Sequence, residues 1–172
     1  MRFDEAKIQY GLHEYLIKKG HEYVIPNVSW SWLYWEADII SITKSFYMYE
    51  FEVKVSLADF KNDFKKIKHY DLKRGKESAR LPSYFSYVAP ESAVPLCLPD
   101  YAGLIIVCME GRYGHELSFE EIKKPTKIHG LKQTESSVNK MLRTLMWKYW
   151  GLANALNQNK IQRELFDGQK EE

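Results

Sequence analysis

The stretch WEADIISITKSFYMYEFEVKVS, residues 35–56, decides how this sequence can fold. Its two halves are rich in aromatic and β-branched residues and are joined by a short polar loop, which is typical of a two-stranded hairpin. In the second half, apolar residues alternate with Glu50, Glu52 and Lys54, so these three side chains share one face of the strand. The hairpin therefore carries a charged face where a sheet would ordinarily carry apolar side chains.

The register of this hairpin determines which carboxylates meet. A three-residue loop at 44–46 would set Thr43 opposite Tyr47 and Asp38 opposite Glu52. A slip of one residue would separate the two acids. In the favoured register their β-carbons lie about 5 Å apart, a distance at which two uncompensated carboxylates repel. We therefore expect positive charge between them.

Two kinds of positive charge are available. Lys54 can offset one carboxylate, and a hard divalent cation such as Mg²⁺ binds through one or two carboxylates while keeping several waters. Glu50, on the same face, competes with Glu52 for such an ion. The alternative is a solvent-facing strand on which glutamate and lysine pair across the surface, as is common in antiparallel sheets.

The residues around the hairpin predict helices packed on a central sheet. Periodic apolar residues, capping signals and β-branched runs predict the elements. Helices are expected over 4–19, 56–72 and 135–157, and a short helix is expected after a capping box formed by Ser118 and Glu121. Strands are expected over 22–30, 35–43, 47–55, 83–90 and 102–110. This order predicts an α/β (α+β) fold with a central mixed β-sheet flanked by helices. We expect one domain over 1–164 and a polar C-terminal tail over 165–172.

Composition narrows the class of protein. With 172 residues and 45% hydrophobic content, the chain suits one domain with a substantial core. No run of about 18 apolar residues occurs and charges recur from Arg2 onward, so we expect no membrane span, no secretory signal and a cytoplasmic location. Cys97 and Cys108 lack the spacing of a zinc site and are expected to be buried as small hydrophobic residues.

The chain from about residue 3 to residue 110 resembles the core of the PD-(D/E)XK nuclease superfamily. Asp38 precedes a Glu-x-Lys, Glu52 to Lys54, by 14 positions, a helix comes before the hairpin and a lysine-rich helix follows it. The resemblance implies a restriction-endonuclease-like core in αβββαβ order. It also implies that Asp38 and Glu52 hold Mg²⁺ or Mn²⁺ with the backbone carbonyl of Val53, and that Lys54 orients the attacking water or stabilises developing charge.

Many members of the superfamily also use a glutamate from the opening helix. The corresponding position here is Gln9, with Glu5 a turn earlier and Glu14 a turn later. Glu5 is the preferred contributor, and Glu14 or no helix acid at all are the alternatives. The proline that often precedes the first acid is replaced by Ala37.

Two segments carry a local excess of positive charge. Between Lys54 and Arg80 there are nine Lys or Arg against four Asp or Glu, and between Lys123 and Lys148 there are seven against one. Such excesses can follow a phosphate backbone, or they can be ordinary solvated surface. The residues expected to contact DNA are Lys61, Lys65, Lys66, Lys68, Lys73, Arg74, Lys124 and Lys127.

Together with these features, the resemblance to the superfamily implies a magnesium-dependent deoxyribonuclease, an endonuclease rather than an exonuclease, of the DNA-repair or mobile-element type. One alternative is a catalytically inactive nucleic-acid-binding module of the same fold. Another is a protein-interaction domain whose closing helix buries a partner. A homodimer would suit the cutting of two strands, but no single residue argues for it.

Overall fold

The computed structural model describes residues 3–28, 33–75, 77–110 and 116–168, with side chains up to residue 159. The helices are α1 (Glu5–Lys18), α2 (Leu57–Asp63), α3 (Lys68–Lys73) and α4 (Glu135–Gly168), with a 3₁₀ turn at Glu91–Ala93. The strands are β1 (His21–Val28), β2 (Ala37–Thr43), β3 (Met48–Val53), β4 (Tyr84–Ala89), β5 (Ala102–Glu110) and β6 (Glu116–Lys123). The predicted α/β class is confirmed.

The six strands form one mixed sheet in the order β1-β2-β3-β4-β5-β6. The first three strands are an antiparallel meander, β3, β4 and β5 run parallel, and β6 returns antiparallel to β5. Parallel neighbours need a crossover, and α2 and α3 supply it between β3 and β4. This crossover places the lysine-rich segment over the sheet.

The two faces of the sheet have different covers. On one face, α1 buries Ile8, Leu12 and Leu16 against the strands, including Phe51 and Val53 of β3. Because side chains alternate along a strand, Glu50 and Glu52 face the other way. That second face is covered by α2 and α3, through residues such as Phe60 and Leu72, and by the first turns of α4, through Val138 and Met141.

The lysine-rich helix predicted over 56–72 is interrupted. α2 begins at the predicted cap Ser56, whose side chain accepts a hydrogen bond from the Asp59 N–H, but it ends at Asp63, and α3 begins only at Lys68. In one continuous helix, residues five apart point about 140° away from each other. The break allows Asp63 and Lys68 to point at the same carboxylates of β3.

Residues 116–123 form strand β6, so the prediction of a short helix after Ser118 was wrong. Phe119 pairs with Val107 and Ser118 with Cys108. Leu117 and Phe119 pack on the α1 side of the sheet, and this alternation of period two outweighs a capping signal that spans only four residues.

The C-terminal tail, the two cysteines and the helices can be compared with three further predictions. The closing helix continues to Gly168, so 165–168 of the predicted tail are helical and 169–172 lie outside the described residues. Cys97 and Cys108 are exposed rather than buried, because Cys97 lies on the loop before β5 and Cys108 near the end of that strand. None of the described helices is long and apolar enough to cross a membrane.

We predict that Gly103→Ala destabilises the protein by about 1–3 kcal/mol. A β-carbon at this position of β5 would lie 2.5 Å from Ser86 Oγ and 2.8 Å from the backbone nitrogen of Pro125. A Gly130→Ala control should change the free energy of unfolding by less than about 0.5 kcal/mol, since nothing lies within 4 Å of its added carbon. Urea unfolding of the two variants measures the difference, and equal losses would contradict the close approach of β4, β5 and the loop after β6.

Candidate active site

The β2–β3 pairing has the predicted register. Ile40 pairs with Glu50 and Ile42 with Met48, and continuing the ladder sets Asp38 opposite Glu52. Residues that are directly opposite in an antiparallel pair point to the same face. Asp38 Oδ2 accepts a hydrogen bond from the Val53 N–H at 2.8 Å, which fixes its carboxyl group across the end of β3.

The environment of Asp38 disfavours its negative charge. Burial and then the neighbouring charge of Glu52 raise the pKa of Asp38 to about 7, against the opposing effects of the Val53 N–H and Lys54. Within the described residues, Oδ1 of Asp38 has no hydrogen-bond partner. This carboxyl group therefore has a free oxygen and an unfavourable excess of negative charge nearby.

Of the two glutamates considered on the opening helix, Glu5 is the one whose charge acts on Asp38. It is the first residue of α1, its charge contributes to the raised pKa of Asp38, and it accepts a hydrogen bond from Gln9 Nε2 at 3.2 Å. Glu14 instead lines a surface pocket together with Glu116, at the start of β6. The chain thus offers Glu5 rather than Glu14 as a third acid.

Three ammonium groups surround the carboxylate of Glu52, which is 2% exposed. Lys54 Nζ lies 2.8 Å and Lys66 Nζ lies 3.0 Å from Oε1. Lys68 Nζ lies 2.7 Å from Oε2. Both oxygens are therefore occupied by cations of the protein itself.

Asp63, at the end of α2, is the second centre of this charged cluster. Its Oδ1 lies 2.6 Å from Lys66 Nζ, and its Oδ2 is 2.8 Å from His69 Nε2 and accepts a hydrogen bond from the Tyr87 hydroxyl at 2.9 Å. Although burial acts to raise it, the His69 hydrogen bond and the charge of Lys68 hold the pKa of Asp63 well below its usual range. Asp63 is a charged member of the site that the sequence did not reveal, because an isolated acid in a lysine-rich helix reads as surface.

Glu50 lies behind Glu52 and is fully buried. The indole N–H of Trp35 is 3.0 Å from each of its oxygens, and Lys68 Nζ is 3.4 Å from Oε1. Burial raises the pKa of Glu50 to about 7 despite the charge of Lys68. Glu50 is thus enclosed by Trp35 and Lys68.

The prediction that Lys68 contacts DNA from an exposed helix face is corrected by the structure. Lys68 is 1% exposed, and its ammonium group contacts Glu50, Glu52 and Asp63. The break between α2 and α3 turns its side chain inward. Burial alone would lower the pKa of Lys68, but the carboxylates, Glu50 first, raise it. Lys68 is a structural counter-ion of the site.

The other predicted DNA contacts remain at the surface. Lys66 is half-exposed, and Arg74 donates to the Tyr70 hydroxyl at 2.7 Å. Lys127 donates to the Tyr47 hydroxyl at 3.1 Å. The exposed members of the predicted set are Lys61, Lys65, Lys66, Lys73, Arg74, Lys124 and Lys127.

Asp38 and Glu52 fit a cation that needs few protein ligands. In the part of the chain that the structure describes, no three acidic, histidine or cysteine side chains are grouped as a metal site. Mg²⁺, however, is commonly bound through one or two carboxylates and several waters. Oδ1 of Asp38 and Oε1 of Glu52 are suitable oxygens, and the Val53 carbonyl follows Glu52 directly in the sequence. A cation that binds Oε1 of Glu52 would compete with Lys54 and Lys66, and the Lys66 side chain is 51% exposed to solvent.

Comparison with known proteins gives a likeness of fold. No family model matches the sequence, and no curated protein matches it either. A solved structure of a protein of unknown function from Silicibacter pomeroyi has a TM-score of 0.55 and 14% sequence identity, and the match covers 86% of each chain. This similarity supports the mixed α/β architecture and carries no information on activity.

Proposed function

We propose that this protein is a metal-dependent deoxyribonuclease with a restriction-endonuclease-like core of the PD-(D/E)XK type. The observation that carries the proposal is the register that sets Asp38 opposite Glu52, two residues before a buried Lys54. The element order also suits it, since a helix, a three-stranded meander, a helical crossover and a parallel strand follow one another.

In this proposal each residue has a distinct role. Asp38, Glu52 and the Val53 carbonyl would hold Mg²⁺ or Mn²⁺, which supplies Lewis-acid stabilisation of the scissile phosphate and a more acidic water. Lys54, as a compact ammonium group, stabilises negative charge that develops on the phosphate. Glu5 adds a third carboxylate near Asp38.

A second candidate function is a DNA-binding module without turnover. It is favoured by one observation, the occupation of both Glu52 oxygens by lysine ammonium groups. If these ion pairs persist in the presence of metal and DNA, Glu52 is neutralised by the protein and needs no cation.

Cleavage assays separate the two candidates. Purified protein is incubated with plasmid, single-stranded and branched DNA in Mg²⁺, in Mn²⁺ and in EDTA. The nuclease proposal predicts cutting that requires metal, and it is abandoned if no substrate is cut while salt-sensitive binding persists.

For the exposed lysines we predict a specific effect on binding. The double variant Lys61→Ala, Lys65→Ala should lower the slope of log K against log[salt] by about 1 for each lost phosphate contact. The reason is that each contact releases counterions from the DNA. Fluorescence anisotropy in EDTA at several salt concentrations measures the slope. A Lys18→Ala control on α1 should leave it unchanged, and an equal effect of both variants would show that α2 is not the binding face.

We also propose that the protein pairs with a second copy of itself through α4. Beyond its first turns this helix exposes six large apolar side chains, each between 58% and 78% exposed: Met146, Trp147, Tyr149, Trp150, Leu152 and Leu156. Together they present on the order of 700 Å² of apolar surface, close to one side of a standard interface. Exposed apolar surface of this extent on one helix is typical of an interaction site.

The chemistry of the helix favours a second copy as that partner. Between residues 144 and 159 the one charged residue is Lys148, which donates to the Asn27 carbonyl of its own chain. A surface with so little charge does not suit DNA, and it can face its own copy without like-charge repulsion. Tyr149, Leu152 and Leu156 recur at three and four residues, the spacing of a helix-pairing seam.

Sedimentation velocity tests this pairing. We predict a dimer for the wild type and a monomer for the double variant Leu152→Lys, Leu156→Lys, because two charges in each seam cannot be buried unpaired. An Ala155→Lys control adds charge at an exposed position of the same helix, on the side away from the six apolar residues, and should remain dimeric. A wild type that is monomeric at all concentrations, or a lysine variant that still dimerises, would contradict the proposal.

A further inference from the structure

A cavity of about 830 Å³ lies between α3, the loop before β5 and the loop after β6. Its apolar wall is formed by Phe64, Leu72, Leu98 and Ile128, and the rings of His69 and Tyr101 complete it. Neither the metal ligands nor the α4 surface uses this space. Its volume lies in the range that holds a ligand the size of a nucleotide.

The polar lining of the cavity includes both charges. Lys73 is an exposed lining residue that brings positive charge to it, and Asp100 supplies one carboxylate. Lys127 also lines the cavity, but its ammonium group donates to the Tyr47 hydroxyl outside the lining. An exposed cation next to an apolar, ring-lined wall suits a ligand with a phosphate and a planar base. A carboxylate at such a site can accept a hydrogen bond from an exocyclic amino group of the base.

The cavity wall is connected to the charged cluster through a series of side-chain contacts. His69 Nδ1 is 2.6 Å from the Tyr101 hydroxyl, and His69 Nε2 is 2.8 Å from Asp63 Oδ2. The other oxygen of Asp63 contacts Lys66, which also contacts Glu52. The cavity wall and the proposed metal ligand Glu52 are therefore separated by two side chains, Asp63 and Lys66.

We infer that this cavity binds the base of an unpaired nucleotide in the DNA strand that passes the Asp38 and Glu52 site. This inference rests on the proposed function and specifies its substrate class. A base in an intact duplex is paired and stacked, and moving it out of the duplex into a pocket costs a few kcal/mol. Single strands, overhangs and flaps present bases without that cost, so they are the preferred ligands.

Two cysteines of the chain provide a built-in probe and control. Cys97 lines the cavity, whereas Cys108 is an exposed thiol on β5 that does not line it. Alkylation of each by a maleimide is followed by mass spectrometry in EDTA, so that no cleavage occurs. The additions compared are a short single-stranded oligonucleotide, the blunt duplex of the same sequence and a mononucleotide.

With the single strand at about ten times its Kd, alkylation of Cys97 should slow about tenfold while Cys108 is unaffected. The duplex should protect Cys97 much less at equal concentration. The variant Lys73→Glu should weaken protection by the single strand, since it reverses one charge of the lining. Protection by the mononucleotide alone, with none by the oligonucleotide, would overturn the inference that the cavity reads a DNA strand.

Three other outcomes would also overturn it. These are absence of single-strand binding, unchanged alkylation of Cys97 under saturating binding, and equal protection by blunt duplex. Failure here is distinguishable from failure of the nuclease proposal, because protection is measured without metal and cutting with it. If DNA is cut but Cys97 is not protected, only the inference about the cavity is rejected. If Cys97 is protected but DNA is not cut, only the nuclease proposal is rejected.

Discussion

The variant Asp38→Asn is expected to lose metal-dependent DNA cleavage by about 10²–10³-fold or more. An amide keeps the shape of the side chain and can still accept the Val53 N–H, but it lacks the charge that holds a divalent cation. DNA binding in EDTA should be retained, because the exposed lysines are untouched. Plasmid nicking rates in Mg²⁺ and Mn²⁺ measure the loss.

The same variant should be more stable than the wild type at high pH. The folded-state pKa of Asp38, about 7, lies above its ordinary value of 3.8, so ionisation of this group opposes folding. The penalty is absent below the ordinary pKa, grows as pH rises towards 7 and is complete above it. The uncharged amide of the variant is free of this penalty, and the gain at pH 8.5 should be about 1–2 kcal/mol. Urea unfolding at pH 5.5 and 8.5 should show a larger gain at the higher pH.

A matched control lies two residues earlier. Glu36 is exposed and undergoes the same acid-to-amide change as Glu36→Gln. It should alter neither cleavage nor the pH dependence of stability. If the Asp38→Asn variant cuts DNA at the same rate as the wild type and the Glu36→Gln variant, Asp38 is not a metal ligand, which would contradict the proposed metal site.

The second large expected effect is a loss of folding stability when Lys68 is replaced, and the matched comparison is the replacement of Lys66. Lys68→Met is expected to destabilise the protein by about 3–5 kcal/mol, because it leaves Glu52 Oε2 and the buried Glu50 without their main counter-ion. Lys66→Met removes contacts to the same Glu52 and to Asp63, but its side chain is half-exposed and solvent can replace it. The expected loss is about 1 kcal/mol.

Chemical denaturation of the two variants at pH 7 and equal salt gives the comparison. Equal losses would contradict the assignment of Lys68 as a buried counter-ion. Metal titration adds a second readout, because the ammonium group of Lys66 competes with a cation for Glu52 Oε1. The variant Lys66→Met should therefore bind Mn²⁺ more tightly than the wild type, provided that Glu52 is a ligand.

Much of the site geometry was accessible from the sequence. A loop of three residues sets the hairpin register, and the register sets Asp38 opposite Glu52, so two local rules predict the pair. Alternation along β3 also predicts that Glu50, Glu52 and Lys54 share one face. These features depend on short stretches of chain, where the two-residue period of a strand and the length of the loop allow few alternative registers.

The features that were missed depend on contacts between distant segments. The break after Asp63 is stabilised by ion pairs with β3, and no signal within 56–72 indicates those partners. The choice between helix and strand at 116–123 depended on pairing with β5, which outweighed a local capping motif. The buried roles of Asp63 and Lys68 follow from the same tertiary contacts. From an amphipathic, lysine-rich pattern alone, such residues are predicted to be exposed to solvent.

The most direct test of the central claim is the location of Mn²⁺ by anomalous diffraction from crystals soaked at pH 8, where Asp38 is ionised. We expect a peak coordinated by Asp38 and Glu52 together, with Lys66 displaced from Glu52 Oε1. A peak that is absent, or that contacts neither carboxylate while all three lysines remain on Glu52, would contradict it.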